Sequence, residues 1–374
     1  MLRREPLKEI LADTREIWDQ PEVRPAVRLN FHKVLKCRTE ALGSEIYASA
    51  TEHKVVHHTC KSRACPSCGH RATNLWQRQM WASLPDVKFA GVVFTMPDVL
   101  WPLFLRNRHL LDDLSALGAA VIQEWAKDEY GARLMILVVR HTFGRHLNFN
   151  PHLHVLASAG GLRIVNGEWI SGWLFDRKAL MRRWRFALIT YLREALKRGV
   201  LHSDVSLSDM KTLLTTQYER WWNVDVQQCT SKDHFIRYAG RYVRRPPLAQ
   251  YRILENTKQQ ISFRTNDHKL KKEVITQYTP EEFIELLGNH VPDHYTHGTR
   301  HFGLLAPRTK SQTFGALFAQ LGQRRRPRPK HLSWACSIQR EYGVNPLQDS
   351  LGERMRLISR RTYAPATNSE TSHI

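Results

Sequence analysis

"ARLMILVVRHTFGRHLNFNPHLHVLASAGG", residues 132–161, reads as two apolar runs on either side of a loop rich in Gly, Asn and Pro. Neither run has helical spacing, so "ARLMILVVRHTF" (132–143) and "HLHVLASA" (152–159) are expected to be strands of one antiparallel hairpin. Alternate residues of a strand share a face, which puts His152 and His154 on one side and Leu153 and Val155 on the other. A core strand can hold one satisfied histidine, but two on one face need partners or a ligand. Imidazoles at this spacing, about 7 Å apart at Cα, can converge on a single metal ion. His141 closes the first run just before the loop, where an antiparallel partner would bring it alongside the pair as a candidate third ligand.

Working outward, "KFAGVVFTMP" (88–97) reads as another buried strand, stopped by Pro97. Residues 101–131 have helical periodicity and end at Gly131, while 177–199 form a basic amphipathic helix. Strands interleaved with helices point to an α+β fold with a largely antiparallel sheet. Three regions differ in character. Residues 1–85 carry four of the cysteines, 86–255 alternate apolar runs with amphipathic segments, and 256–374 hold the Arg- and Pro-rich "QRRRPRPKH" (323–331). A polar tail, "RRTYAPATNSETSHI" (360–374), is expected to be disordered.

Composition bounds the partner. Fifty-six Lys and Arg stand against 35 Asp and Glu, a formal net charge of +21. Such an excess repels itself unless a polyanion neutralises it, so nucleic acid is the leading partner, against a protein that merely happens to be basic or one attached to an anionic membrane. The N-terminus is too polar for a signal peptide, and no long apolar window suggests a membrane span. The expected place is the cytoplasm.

In a reducing compartment six cysteines argue for metal or free thiols over disulfides. Cys65 and Cys68 form a C-x2-C knuckle, with Cys60 and Cys37 upstream. Four thiolates complete a tetrahedral Zn²⁺ site, with His57, His58 and His70 as alternative ligands. Cys229 and Cys336 are isolated, and core packing is expected for both.

Downstream, 231–247 reads as a helix with Ser231 as its N-cap and Pro246 beyond its end. Tyr238 and Tyr242 lie one turn apart on one face, with Arg237, Arg241, Arg244 and Arg245 as candidate phosphate contacts. Aromatics at this spacing are more often core. Here arginines surround them, and Gly240 is expected to let a phosphate backbone approach. A divalent ion, Mg²⁺ or Mn²⁺, held by histidines can polarise a phosphodiester, and a tyrosine oxygen can attack its phosphorus to form a phosphotyrosine. Transesterification conserves the bond energy, which agrees with the lack of a GxxxxGK[ST] loop.

These residues resemble the rolling-circle, two-tyrosine HUH transposases of bacterial insertion sequences. The elements that carry the resemblance are "CKSRACPSC" (60–68), the histidine hairpin, "YAGRYVRRPP" (238–247) and "TPEEFIELLGNHVPDHYTHGTRHFGLLAPR" (279–308). It spans residues 35–308. The resemblance implies an α+β fold in which an N-terminal zinc-binding, DNA-binding module precedes an antiparallel-sheet HUH endonuclease core with flanking helices. It also implies His152 and His154, with His141 raised as a third, as metal ligands and Tyr238 and Tyr242 as nucleophiles. The implied substrate is single-stranded DNA at the element's ends and at the target, cut through a 5′-phosphotyrosine intermediate.

One departure stands out: the family commonly carries a further C-x2-C between the positions of Cys37 and Cys60, an interval without cysteine here. Cys37, Cys60, Cys65 and Cys68 would then share one ion. A plasmid or phage replication initiator would lack the zinc module, and a conjugative relaxase places its tyrosine ahead of the histidines. A histidine-triad hydrolase would need histidine at position 156, which is Leu156. A zinc-bearing protein that only binds DNA is the non-enzymatic alternative.

Overall fold

The computed structural model describes residues 5–229, 231–267 and 272–362. Residues 363–374, most of the tail expected to be disordered, lie outside them, as does the side chain of Cys229.

The chain opens with three helices, α1 (Pro6–Asp13), α2 (Arg15–Trp18) and α3 (Pro25–Leu35), and the hairpin β1 (Gly43–Ala48) and β2 (His53–His57). Helix α4 (Gly69–Ser83) leads into β3 (Phe89–Phe94), α5 (Trp101–Arg106) and α6 (Leu111–Tyr130). The expected hairpin follows as β4 (Ala132–Phe143) and β5 (Phe149–Arg163), then β6 (Trp169–Ser171), α7 (Arg177–Lys197), α8 (Leu207–Thr216), β7 (Val224–Cys229) and α9 (Lys232–Val243). Strands β8 (Ile253–Asn256), β9 (Ile261–Asp267) and β10 (Lys272–Tyr278) precede α10 (Pro280–Asn289), β11 (Thr299–Gly303), α11 (Pro307–Gln320), α12 (Trp334–Tyr342) and β12 (Arg356–Thr362).

The central sheet runs β11-β4-β5-β3-β7, antiparallel throughout, with β6 added to the far end of β5. Both faces are covered, which explains why residues 134–139 are apolar without alternation. On one face Val92, Phe94, Leu153, Val155 and Ala157 pack beneath α6 and α7, with Trp184 stacked on Phe94 at 4.9 Å. On the other, Phe89, Met135, Leu137, Val139 and Leu156 meet Phe235, Tyr238 and Ala239 of α9 and Phe314 and Leu317 of α11. Each such large apolar side chain contributes about 1.5–3 kcal/mol by leaving water. The even-numbered positions of β5 therefore look at α9.

The single helix expected over 101–131 is broken. Asn107 donates its side-chain amide to Leu103 O and His202 O and accepts from His202 N, all at 2.8 Å. Ending α5 there anchors the segment after α7. The helix stop at Gly131 holds, in the left-handed region at φ 61°.

A second core joins α1 and α3 to α10 and β9 through Trp18, Phe31, Phe263 and Phe283, and it includes Cys37 and Cys65. Two smaller antiparallel sheets run β10-β9-β8 and β12-β1-β2. Sheet pairings thus cross the sequence divisions at 85 and 255: β11 borders β4, and β12 borders the N-terminal hairpin. Cys336, expected in a core, is exposed on α12, a short helix with only Ala335 buried. No described helix is long and apolar enough to cross a membrane.

Candidate metal centres and tyrosine site

The loop after β2 folds back against the end of α3 and brings four thiols together. Sγ–Sγ distances are 3.5 Å for Cys37–Cys68, 3.6 Å for Cys60–Cys68 and 3.7 Å for Cys65–Cys37. A tetrahedron with Zn–S bonds of about 2.3 Å has edges of roughly 3.8 Å, so the spacing fits one ion. The thiols are free of disulfides. Hydrogen bonds among the four thiols lower Cys37 and Cys68 and raise Cys60 and Cys65, and a bound ion would take all four as thiolates. The alternative ligands point elsewhere: His58 bonds Leu42 O at 3.1 Å, and His70 faces Glu341 at 3.2 Å. His57 also stands outside the group of converging ligand atoms.

The second cluster grows from strand pairing. His141 of β4 stands opposite His152 of β5, and Val139 stands opposite His154. One ligand nitrogen from each of His141, His152 and His154 lies within 4.8 Å of the others. His152 donates Nδ1–H to Asn150 O at 2.7 Å, and His141 donates Nε2–H to Tyr242 O at 2.8 Å. A carbonyl only accepts, so each ring keeps one lone-pair nitrogen free for a metal. His154 Nδ1 is buried with no hydrogen-bond partner among the described residues. Burial, reinforced by Arg245, lowers all three, with neighbouring imidazoles adding to it at His141 and His154, and His141 falls to about 3. Neutral, converging and partly orphaned donors fit a divalent cation.

Helix α9 carries the tyrosines over this face. Ser231 caps it by accepting from His234 N, as expected. The Tyr242 ring lies on His154, centroids 3.8 Å apart and planes 22° apart, and 5.8 Å from His141. Tyr238, 5.0 Å further back, is only 7% exposed and rests on Gly91 of β3, where a Cβ would come within 3.2 Å of its ring. Gly240 is corrected: it does not face a phosphate path but Gln77 of α4, where an added Cβ would collide at 2.1 Å. The approach of α9 to α4 leaves the Gln77 side chain, and not a phosphate, over the glycine.

The four arginines divide. Arg241 covers both tyrosine rings, at 4.8 Å from Tyr238 and 5.9 Å from Tyr242, and Arg237 is exposed on the same helix. Arg245 joins Arg63, Arg108 and Arg140 in a cleft against His141 and Thr142. Arg244 turns toward α4, its carbonyl lying where a Cβ on Gly69 would sit. The sequence reading missed Arg63, which donates to Val243 O at 2.8 Å and ties the cysteine loop to the end of α9. Its signal was available: a cation between the zinc ligands of "CKSRACPSC". Nothing in local spacing marks Arg140, which is held by Asp112 at 3.0 Å.

A family model described as "Transposase zinc-binding domain" matches residues 10–96, and one described as "Putative transposase" matches residues 136–313. The chain is 32% identical over 300 residues to the "Transposase for insertion sequence element IS801" of Pseudomonas savastanoi pv. phaseolicola, covering 77% of this chain and 72% of that protein. It is 27% identical over 293 residues to "Putative transposase y4qJ" of Sinorhizobium fredii, covering 74% and 73%. No solved structure matches the chain.

Proposed function

The chain belongs to the insertion-sequence transposases of the IS91 and IS801 kind, and from that premise we propose that it cuts and rejoins single-stranded DNA by tyrosine transesterification in rolling-circle transposition. Membership makes it a DNA-binding, DNA-processing enzyme with a structural zinc module. The observation that carries the finer reading is the Tyr242 ring lying 3.8 Å above His154, over three converging neutral imidazoles.

His141, His152 and His154 would hold the ion. Bound there, Mg²⁺ or Mn²⁺ supplies Lewis-acid polarisation of the scissile phosphodiester and offsets the charge that develops on it. The chain's own groups do the rest. Arg245, Arg63 and Arg140 draw the phosphate into the cleft beside His141, and Arg241, lying over both tyrosine rings, supplies a further cation for the charge that develops on the phosphate. Tyr242, nearest the histidines, attacks first. Its oxygen bonds to phosphorus, the bond from phosphorus to the 3′ oxygen breaks, and the proton lost by the phenol is matched by one gained on the leaving 3′ hydroxyl. A 5′-phosphotyrosine holds one end while Tyr238 serves the second transfer. A free 3′ hydroxyl then attacks the phosphotyrosine and restores the tyrosine. Since its substrate is the element's DNA, the enzyme works in the bacterial cytoplasm on the nucleoid.

The test is incubation of the protein with labelled single-stranded DNA from the element's ends and Mn²⁺ or Mg²⁺, followed by a denaturing gel. The expected result is a metal-dependent covalent protein–DNA band that Tyr238→Phe with Tyr242→Phe abolishes. Binding without a covalent band across ends and metals would leave a DNA-binding module and no tyrosine nuclease.

A further inference from the structure

Residues 314–362 lie outside the stretches matched by either family model, yet the structure fastens their last part to the zinc module. Strand β12 pairs with β1 along Gly43–Ala48. Asp349 accepts from Ser49 at 2.6 Å and Thr51 at 3.1 Å, Lys54 donates to Pro346 O at 2.6 Å, and Ser350 N donates to Glu52 at 3.0 Å. Held this way, α12 stands opposite the cysteine loop and the start of α4, and a cavity of about 1450 Å³ opens between them.

The lining of this cavity has a marked chemistry. It includes eight Lys and Arg against two Glu, and both acids are engaged. Glu45 is paired with Arg360 at 2.8 Å, and Glu341 faces His70 at 3.2 Å. Lys33, Lys61 and Arg71 are exposed within it. Two aromatics of α12 complete the wall: Trp334 sits 6.3 Å from Tyr47, and Tyr342, 61% exposed, sits 6.2 Å from His70. Cations along a groove take a phosphate backbone, and aromatic faces take unpaired bases; a duplex, whose bases are already stacked, offers no free face. The groove also leads somewhere. Arg63 lines both this cavity and the cleft at His141, and the consecutive Arg244 and Arg245 line one each.

We propose that α12 and β12 build, against the zinc module, a binding groove for the single-stranded DNA that flanks the cleaved phosphate, with Trp334 and Tyr342 as stacking platforms. It rests on the reading of the enzyme as a single-strand nuclease. In this arrangement the C-terminal segment selects the single-stranded state, and Arg63 with Arg244 passes the backbone on to Arg245 and the histidines.

The test uses the full chain, zinc-loaded and carrying Tyr238→Phe and Tyr242→Phe so that binding is read without cleavage. Fluorescence anisotropy with an oligothymidylate follows Trp334→Ala, Tyr342→Ala and, as the conservative control, Trp334→Phe. Each alanine is expected to weaken binding about tenfold, with the phenylalanine close to the parent. Lys33→Ala and Arg71→Ala are each expected to lower the slope of log affinity against log salt by about 0.7. An oligonucleotide carrying iodouracil is expected to crosslink to the peptide containing Trp334. Unchanged affinity in both aromatic variants at unchanged zinc content would overturn the proposal, as would equal binding of duplex or crosslinks confined to other segments. The two readings fail separately: a covalent band from the wild-type enzyme with no effect of the aromatic variants sinks only the groove. Lost binding in those variants with no covalent band under any condition sinks only the nuclease.

Discussion

The four cysteines and the three histidines are both ligand clusters, but they are built in opposite ways. The cysteines come from the end of α3 and from an irregular loop in which Lys61 sits at φ 57°, held by the approach of their sulfurs and by a few side-chain bonds such as Arg63 to Val243 O and Ser62 to Asn30. The histidines stand on two paired strands of a sheet covered on both faces, with two of the rings oriented by backbone carbonyls. A site of the first kind needs its ion to exist, while one of the second exists before the ion arrives. The first serves the fold, and in the function proposed above the second serves the chemistry.

The comparison breaks if removing one cysteine behaves like removing one histidine. Cys65→Ser is expected to release the zinc and unfold the module around it, since structural zinc contributes about 10–16 kcal/mol to small domains and Cys65 is part of the core with Phe31. Metal analysis and limited proteolysis across residues 37–68 would read this; a variant that keeps its zinc and its protease resistance would show that the loop folds unaided. His152→Ala, by contrast, is expected to leave proteolysis unchanged and abolish the covalent band.

The two tyrosines sharpen the contrast within the preformed site. Tyr242→Phe is expected to slow the first cleavage by about a thousandfold or more, because the nucleophile nearest the metal ligands is lost. Tyr238→Phe should leave that cleavage within severalfold and block the second transfer, its phenol being set back against Gly91. Single-turnover cleavage of one labelled end, followed by strand transfer, separates the steps, and equal loss of first cleavage in the two variants would remove the order.

The smallest effect concerns the rigidity of the preformed site. His290 is buried beneath the histidine hairpin and bonds Leu147 O at 2.7 Å. Burial lowers it to about 4 from the 6.5 of a free imidazole. The folded state keeps this ring neutral, so its contribution to stability is present above about pH 6.5 and is lost as pH falls toward 4, by at most about 3 kcal/mol. His290→Gln should flatten that acid limb in denaturant melts between pH 6.5 and 4; an unchanged limb would put the acid sensitivity elsewhere.

Much of this was legible because it is local. Alternation at His152 and His154, the C-x2-C knuckle at Cys65 and Cys68, and the spacing of Tyr238 and Tyr242 are periodicities of one or two residues or one helical turn, which the backbone enforces whatever surrounds it. The break at Asn107 was not legible, since its partner is the backbone of His202, far along the chain. Gly240 was misread for a related reason: a glycine's lost Cβ makes room, but the sequence does not say whether a phosphate or Gln77 fills it.

By itself, then, the sequence determined the chemistry at hand: cysteine and histidine metal-ligand candidates, two phenols, a cationic excess and the strands and helix that carry them. Only the tertiary structure decided which of these meet. Pairing in register set His141 opposite His152, packing of α9 on the sheet laid Tyr242 on His154 and hid Tyr238, and β12 returned from the far end of the chain to wall a groove beside the cysteines. Contacts between separate elements, such as α9 on β5 and β12 on β1, depend on how whole faces bury one another, and no local pattern encodes that.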